Sequence, residues 1–205
     1  MTGQPEILTI GHSTHGIDQF VALLQQHDVT PVADVRSQPF SRRAPHFNQA
    51  ALSATLRRHD IQYVFLGREL GARSNDAECY INGRVQYERL AGTDQFKKGI
   101  LRVLNGAESE RIALMCAEKD PLDCHRTVLV ARRLQDEGAQ VTHIRFDGSI
   151  ETHDQTMARL LQQLGMQSSL LSSREEQIDE ALAKQEARIA YVDADLLALS
   201  ESAVS

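Results

Sequence analysis

The stretch RIALMCAEKDPLDCHRTVLVARRL, residues 111–134, decides the fold. Arg111 to Cys116 form a short, mostly apolar run of the kind that makes a buried strand. Val128, Leu129, Ala131 and Leu134 then recur at helical spacing, and Gly138 is suited to a left-handed stop. A helix is therefore expected over 124–137. Between strand and helix lies a loop crowded with Cys116, Glu118, Asp120, Asp123, Cys124, His125 and Arg126. Strand, loop and helix in that order make the repeating unit of a parallel α/β sheet.

The same unit recurs on either side. Ile7 to Ile10 read as a strand ended by Gly11, followed by a helix through Ile17, Phe20, Val21, Leu23 and Leu24 with Thr14 as its expected N-cap. Val32 to Val35 and Ile61 to Leu66 are further strands, Val141 to Phe146 a last one, and helices are expected at 48–58 and 93–104. The apolar runs are continuous rather than alternating, as in strands buried on both faces. The expected fold is α/β: a single Rossmann-like three-layer domain over residues 5–165 with a mostly parallel sheet and an irregular insertion at 66–92. Residues 166–205 read as a serine-rich linker and an accessory helix. Its apolar positions Ile178, Leu182, Ile189 and Val192 could pack in cis, bridge a homodimer or belong to a mobile tail.

The 205 residues are 41% hydrophobic and 24% charged, which suits a soluble domain with a full core. A net charge of −6 gives no global attraction to nucleic acid, and the absence of tryptophan argues against a base-stacking surface. Three cysteines do not make a secreted disulfide framework. The opening MTGQPEILTIGHST lacks the basic and long apolar regions of a signal peptide, and no run is long enough to cross a membrane. A cytoplasmic protein is expected.

Ligands of open α/β sheets bind beyond the carboxyl ends of the strands. Four loops then face one crevice: Gly11 to His15, Arg36 to Asn48, Gly67 to Gly71, and Cys116 to Arg126. Their residue types suit an anion. Ser13 sits beside a helix start, and Arg36 and Arg126 offer paired donors to phosphate or carboxylate. Arg36 could equally pair with Asp34 or Glu69.

Cys116 is either a small buried residue or a nucleophile at the strand's mouth. The C-x5-R loop of cysteine phosphatases does not fit, because Arg126 lies ten positions after Cys116. Cys124 at a helix start would have a lowered thiol pKa. Glu118 is an acid/base candidate, or a partner for Lys119 or an arginine. Cys116, Cys124, His125 and His12 are the right types for zinc, but C-x7-C matches no compact zinc motif, so no metal ligand is assigned. A Cys116–Cys124 redox disulfide is a further alternative.

Several separated motifs together resemble the uncharacterised family called domain of unknown function 488. They are Thr9-Ile10-Gly11-His12-Ser13, Asp34-Val35-Arg36-Ser37-Gln38-Pro39, Leu66-Gly67 with Leu70-Gly71, and Cys116-Ala117-Glu118-Lys119-Asp120-Pro121 with Cys124-His125-Arg126. The resemblance runs over about residues 7–160. It implies a small α/β domain, a bacterial cytoplasmic setting, and one constellation made of His12, Ser13, Arg36, Cys116, Glu118, Cys124, His125 and Arg126. It implies no particular reaction and no cofactor.

The expectation is an enzyme, a hydrolase or group transferase, acting on a phosphorylated small molecule or nucleotide. Cys116, Glu118, Cys124 and His12 would be catalytic, and Ser13, Arg36, His125 and Arg126 would hold the substrate. Two rivals stand beside it. One is a non-catalytic nucleic-acid-binding module using Arg42, Arg43, Arg57, Arg58, Arg68, Arg73, Lys97 and Lys98. The other is a metal-binding or redox thiol protein.

Overall fold

The computed structural model of the chain describes residues 4–166 and 172–202. Ser168 and Ser169 of the expected linker lie outside the described residues. Strand β1 (Glu6–Gly11) leads to α1 (Ile17–Gln26), β2 (Pro31–Asp34), α2 (Gln49–Arg57) and β3 (Gln62–Phe65). The insertion is more regular than expected. It holds α3 (Gly67–Leu70), a small hairpin of β4 (Tyr80–Ile81) and β5 (Arg84–Val85), and α4 (Tyr87–Gly92). Then come α5 (Asp94–Ala107), β6 (Ala113–Cys116), a π-helical turn at Arg126–Ala131, α6 (Arg132–Asp136), β7 (Gln140–Ile144), β8 (Ile150–Thr152), α7 (His153–Gln163), α8 (Arg174–Ile189) and α9 (Ala194–Ser202).

The main sheet runs β3-β2-β6-β1-β7-β8, parallel throughout except for β8, which adds antiparallel to β7. The fold class is the expected α/β sheet. Side chains alternate between two buried faces. Leu8, Ile10, Ala113 and Met115 pack with Phe20, Leu24, Leu52 and Leu56 of α1 and α2. Ile7, Leu114 and Cys116 face the opposite core with Phe96, Ile100, Leu129, Leu134 and Met157. Both faces of the central strands are therefore covered, which explains their continuous apolar runs.

The connection leaving β1 passes over β6 to β2, whereas the one leaving β6 passes over β1 to β7. The chain leaving β2 turns to β3 on one side and the chain leaving β6 turns toward β7 on the other, so the winding reverses between these two neighbours and the loops after them part to open a crevice there. On the other side of β6, Gly11 of β1 pairs with Cys116, and the His12 and Ser13 N–H groups donate to the Cys116 and Ala117 carbonyls, so these two loops leave the sheet together.

Two local expectations changed. The N-cap of α1 is Gly16 rather than Thr14, because the chain first makes a tight turn in which the His15 N–H donates to the His12 carbonyl at 3.0 Å. The helix expected from residue 124 begins as a π-helical turn, a form that recurs where a helix serves a site. The accessory helix α8 packs in cis. Ala181 and Leu182 are buried in the second core, Ile178 and Ile189 pack against it, and Gln185 donates to the Leu122 carbonyl at 2.8 Å. That accounts for most of the stripe that a mobile tail would expose or a homodimer would use. Among the described residues no helix is long and apolar enough to cross a membrane.

Candidate active site

A cavity of about 260 Å³ opens at the carboxyl ends of β2 and β6, and Cys116, Glu118, Cys124, His125 and Arg36 line it. Ser37, Gln38, Arg73 and Tyr87 complete much of its rim, and Ile189 and Tyr191 reach it from the C-terminal segment. A larger recess of about 520 Å³, bounded by the insertion, adjoins it through Ser37 and Arg73. Size does not decide between the two, because the smaller one carries the thiols, the carboxyl group and the imidazole.

The loop after β6 is folded back on itself. Asp120 caps a short 3-10 turn at Pro121–Asp123, accepting from the Leu122 N–H at 2.9 Å. Arg159 of α7 grips the same carboxylate through two bonds of 3.0 and 2.9 Å. Burial alone would raise the Asp120 pKa, but the Arg159 bonds outweigh it and hold the group ionised. Lys119 lies over the Phe146 ring at 4.2 Å and does not pair with Glu118. The turn returns the chain so that Cys124 comes back beside Cys116.

The reactive groups meet there. Cys116 Sγ donates to Glu118 Oε2 at 3.0 Å. His125 Nδ1 stands 3.7 Å from Cys116 Sγ and 3.8 Å from Cys124 Sγ, while its Nε2–H donates to the Val35 carbonyl at 3.0 Å. The Arg126 backbone N–H points at Cys124 Sγ, 3.4 Å away, as it would at the side chain of an N-cap. Burial alone would raise the Cys124 thiol. The Cys116 hydrogen bond, the Arg126 charge and His125 outweigh it and bring Cys124 well below an ordinary thiol. Burial and the Cys124 partner push Cys116 well up. Burial, then the Cys124 charge, also raises Glu118. Opposed shifts in adjacent groups set one up as ionised and the others as proton carriers.

Arg36 is fixed before any ligand arrives. Its Nε and Nη2 bind the Asp34 carboxylate, and Nη2 also donates to the Phe47 carbonyl at 2.8 Å. Only Nη1 is left for the cavity side, and it also touches His12 Nε2 at 3.2 Å. His12 stacks on Phe47 with ring centroids 4.3 Å apart. Its Nδ1–H donates to the Ser13 carbonyl at 3.1 Å, which leaves Nε2 as the acceptor from Arg36. Burial, then the Arg36 charge, lowers its pKa to about 4. His12 therefore steadies Arg36 and does not line the cavity. Ser13, at φ 45°, donates its backbone N–H to the Ala117 carbonyl at 2.8 Å and does not line the cavity either. Arg126 lies wholly beneath the loop, where Nη1 donates to the Glu118 carbonyl at 2.9 Å and Nε and Nη2 have no hydrogen-bond partner among the described residues.

The family model for the domain of unknown function DUF488 matches residues 16–133, more than half of the chain. The chain belongs to this family. No curated protein and no solved structure matches it. The DUF488 match contains Arg36, Cys116, Glu118, Cys124, His125 and Arg126, and stops short of His12 and Ser13.

Several site residues had little or no signal in the sequence. Asp34 was foreseen only as an ion-pair partner, yet with Tyr63, whose hydroxyl donates to Oδ2 at 2.7 Å, it orients the arginine of the cavity. Tyr87 comes from the insertion and Tyr191 from the tail, and neither belongs to a recognisable pattern. Arg73 lies over the Tyr191 ring at 4.3 Å, so the tail closes one wall. Arg57 and Arg58 follow from α2 on one face of the sheet, and Lys97 and Lys98 lie on α5 on the other. The cations considered for nucleic acid do not share one face.

Proposed function

We propose that the protein is an enzyme that hydrolyses or transfers a group on a phosphate-bearing small molecule or nucleotide held in the cavity beside β6. One observation carries this reading. Cys116, Cys124, Glu118 and His125 meet on a single cavity wall at the point where the sheet's winding reverses, with Cys116 Sγ 3.0 Å from Glu118 Oε2 and His125 Nδ1 3.7 and 3.8 Å from the two sulfurs. Arg36 Nη1 and Arg73 supply positive charge to the substrate's anionic end, and the adjoining recess receives the remainder. Glu118 carries the proton between nucleophile and leaving group. The reading also places the protein in a bacterial cytoplasm, where its three free thiols would stay reduced.

Thermal stability against phosphate, nucleotides and sugar phosphates tests the ligand class. A true ligand at about one hundred times its Kd raises the Tm by about 5–10 °C. Turnover of that ligand should fall at least about 100-fold in Glu118→Gln with the Tm retained. If no phosphorylated compound moves the Tm, the reading fails.

A further inference from the structure

We infer that Cys116, Cys124 and His125 form a three-ligand site for a zinc-type divalent cation whose fourth position opens onto the cavity beside Glu118. All three side chains are buried, and their ligand atoms lie within 4.8 Å of one another. Tetrahedral zinc with bonds of about 2.3 Å to sulfur and 2.0–2.1 Å to nitrogen sets sulfur-to-nitrogen edges of about 3.6 Å. The two sulfur-to-His125 distances, 3.7 and 3.8 Å, match those edges.

The surroundings are those of a ligand set. A metal-bound histidine gives its second ring N–H to a carbonyl or carboxylate, which fixes the ring and its tautomer. His125 does this with Val35, which leaves the Nδ1 lone pair facing the sulfurs. The Arg126 N–H supports the Cys124 sulfur from behind. Charge balances as well. Two thiolates and the Glu118 carboxylate are offset by a divalent cation and the Arg126 guanidinium, whose Nε and Nη2 make no hydrogen bond among the described residues. Soft sulfur with imidazole favours zinc over magnesium or calcium. His12, the other ligand type in reach of the sequence pattern, is engaged by Ser13 and Arg36.

Three protein ligands and an open position are the pattern of catalytic zinc, not of structural zinc. The site's role in turnover rests on the enzymatic reading above; the binding of the ion does not. The cation replaces the Cys116 proton, which leaves to solvent. Water in the fourth position gives a proton to the Glu118 carboxylate and becomes hydroxide. A bond forms from hydroxide oxygen to the substrate's phosphorus as the bond to the leaving group breaks, and Glu118 returns the proton to that leaving group.

The test uses the full chain produced with zinc in the medium and kept reduced. Elemental analysis should find about one zinc per chain after dialysis. Replacement by cobalt should give strong visible d–d bands and thiolate-to-cobalt charge transfer. Both should vanish in Cys124→Ala and persist in Cys79→Ala, whose cysteine lies outside the cluster. If Cys124→Ala does not fold, the wild type still decides: a chelator should release the ion and unmask two thiols to a colorimetric reagent. A folded, reduced protein with no zinc and no cobalt bands overturns the site. So does a Cys116–Cys124 disulfide in place of metal in protein purified without reductant. Zinc bound without turnover of any phosphorylated compound overturns the enzymatic reading and leaves the metal site standing. Turnover unchanged in metal-free protein overturns the ion's part in the reaction and leaves the enzymatic reading standing.

Discussion

Asp34 and Arg36 form a buried fork in which Nε meets Oδ1 at 2.9 Å and Nη2 meets Oδ2 at 2.6 Å. Asp34 has no exposed surface and also accepts the Arg36 backbone N–H and the Tyr63 hydroxyl. The strand end thus supplies its own counter-charge, and the arginine faces the cavity without being free to swing. A lysine could not reproduce the fork.

Asp34→Asn should therefore be severe. It leaves a buried guanidinium without its counter-charge, a change that costs about 3–5 kcal/mol. In a chain of this size that is a Tm loss of about 6–20 °C. The double variant Asp34→Asn with Arg36→Met should regain part of it, because no charge then remains unpaired. Calorimetry on the three proteins decides. A single variant as stable as the wild type would mean that the fork contributes nothing.

Gly11 should tolerate no side chain. A Cβ there would stand 1.8 Å from the Glu118 carbonyl oxygen and 3.1 Å from Arg126 Nη1, so the loop after β6 would have to move. Gly11→Ala is expected to lower stability by about 1–3 kcal/mol and to abolish any cobalt or anion response. Gly92→Ala is the control. Nothing lies within 4 Å of its Cβ, and it ends α4, so alanine there should be neutral or stabilising by up to about 1 kcal/mol. Equal behaviour of the two variants would contradict the close approach of the two loops.

Acid should unfold the protein through a buried histidine pair. Thr9 Oγ1 lies 2.7 Å from His143 Nδ1, and His143 Nε2 lies 3.1 Å from His153 Nδ1. Burial holds His153 down at about 4, and burial followed by His153 holds His143 well below its ordinary value. Arg126, Arg145 and Arg159 face His143, and Arg132, Asp136 and Asp154 surround His153. The unfolded rings titrate near about 6.5, so between that pH and 4 the unfolded chain binds more protons than the folded one. The stability from keeping His153 neutral is full above about pH 6.5 and is lost as pH falls toward 4. Its size is of order 3 kcal/mol. Tm measured from about pH 7.5 down to 4.5 should fall, and fall less in His153→Gln. A variant with the wild-type slope would remove His153 from the account.

The sheet was legible because each parallel strand is a continuous apolar run with a helix behind it. Strand β8 was not, because Ile150–Thr152 is too short and too exposed to stand out. The thiols were legible as site residues, and their nearness was not. Residue spacing measures the path along the chain, and C-x7-C looks loose until Asp120 and Pro121 fold the path into a tight turn. His12 and Ser13 were expected at the cavity. They sit in its support because the ring stacks on Phe47 and the serine backbone ties β1's loop to Ala117. Long-range partners such as Tyr63, Tyr87 and Tyr191 leave no local pattern, since each is brought in by topology.

Helix α8 behaves as part of the domain, and Leu182 is the residue that tests it. Leu182 keeps 8% of its surface exposed, and Ala181 beside it none. Glu186 accepts the Tyr87 backbone N–H at 2.7 Å, so the helix also holds a cavity residue in place. Truncating a nearly buried leucine costs about 2–3 kcal/mol, so Leu182→Ala should lower the Tm by about 4–12 °C. Because the contact lies within one chain, the Tm of both proteins should not change with protein concentration. A dimer held by this helix would instead melt later as concentration rises. Concentration-dependent melting that Leu182→Ala abolishes would move the helix from its own core to a partner's.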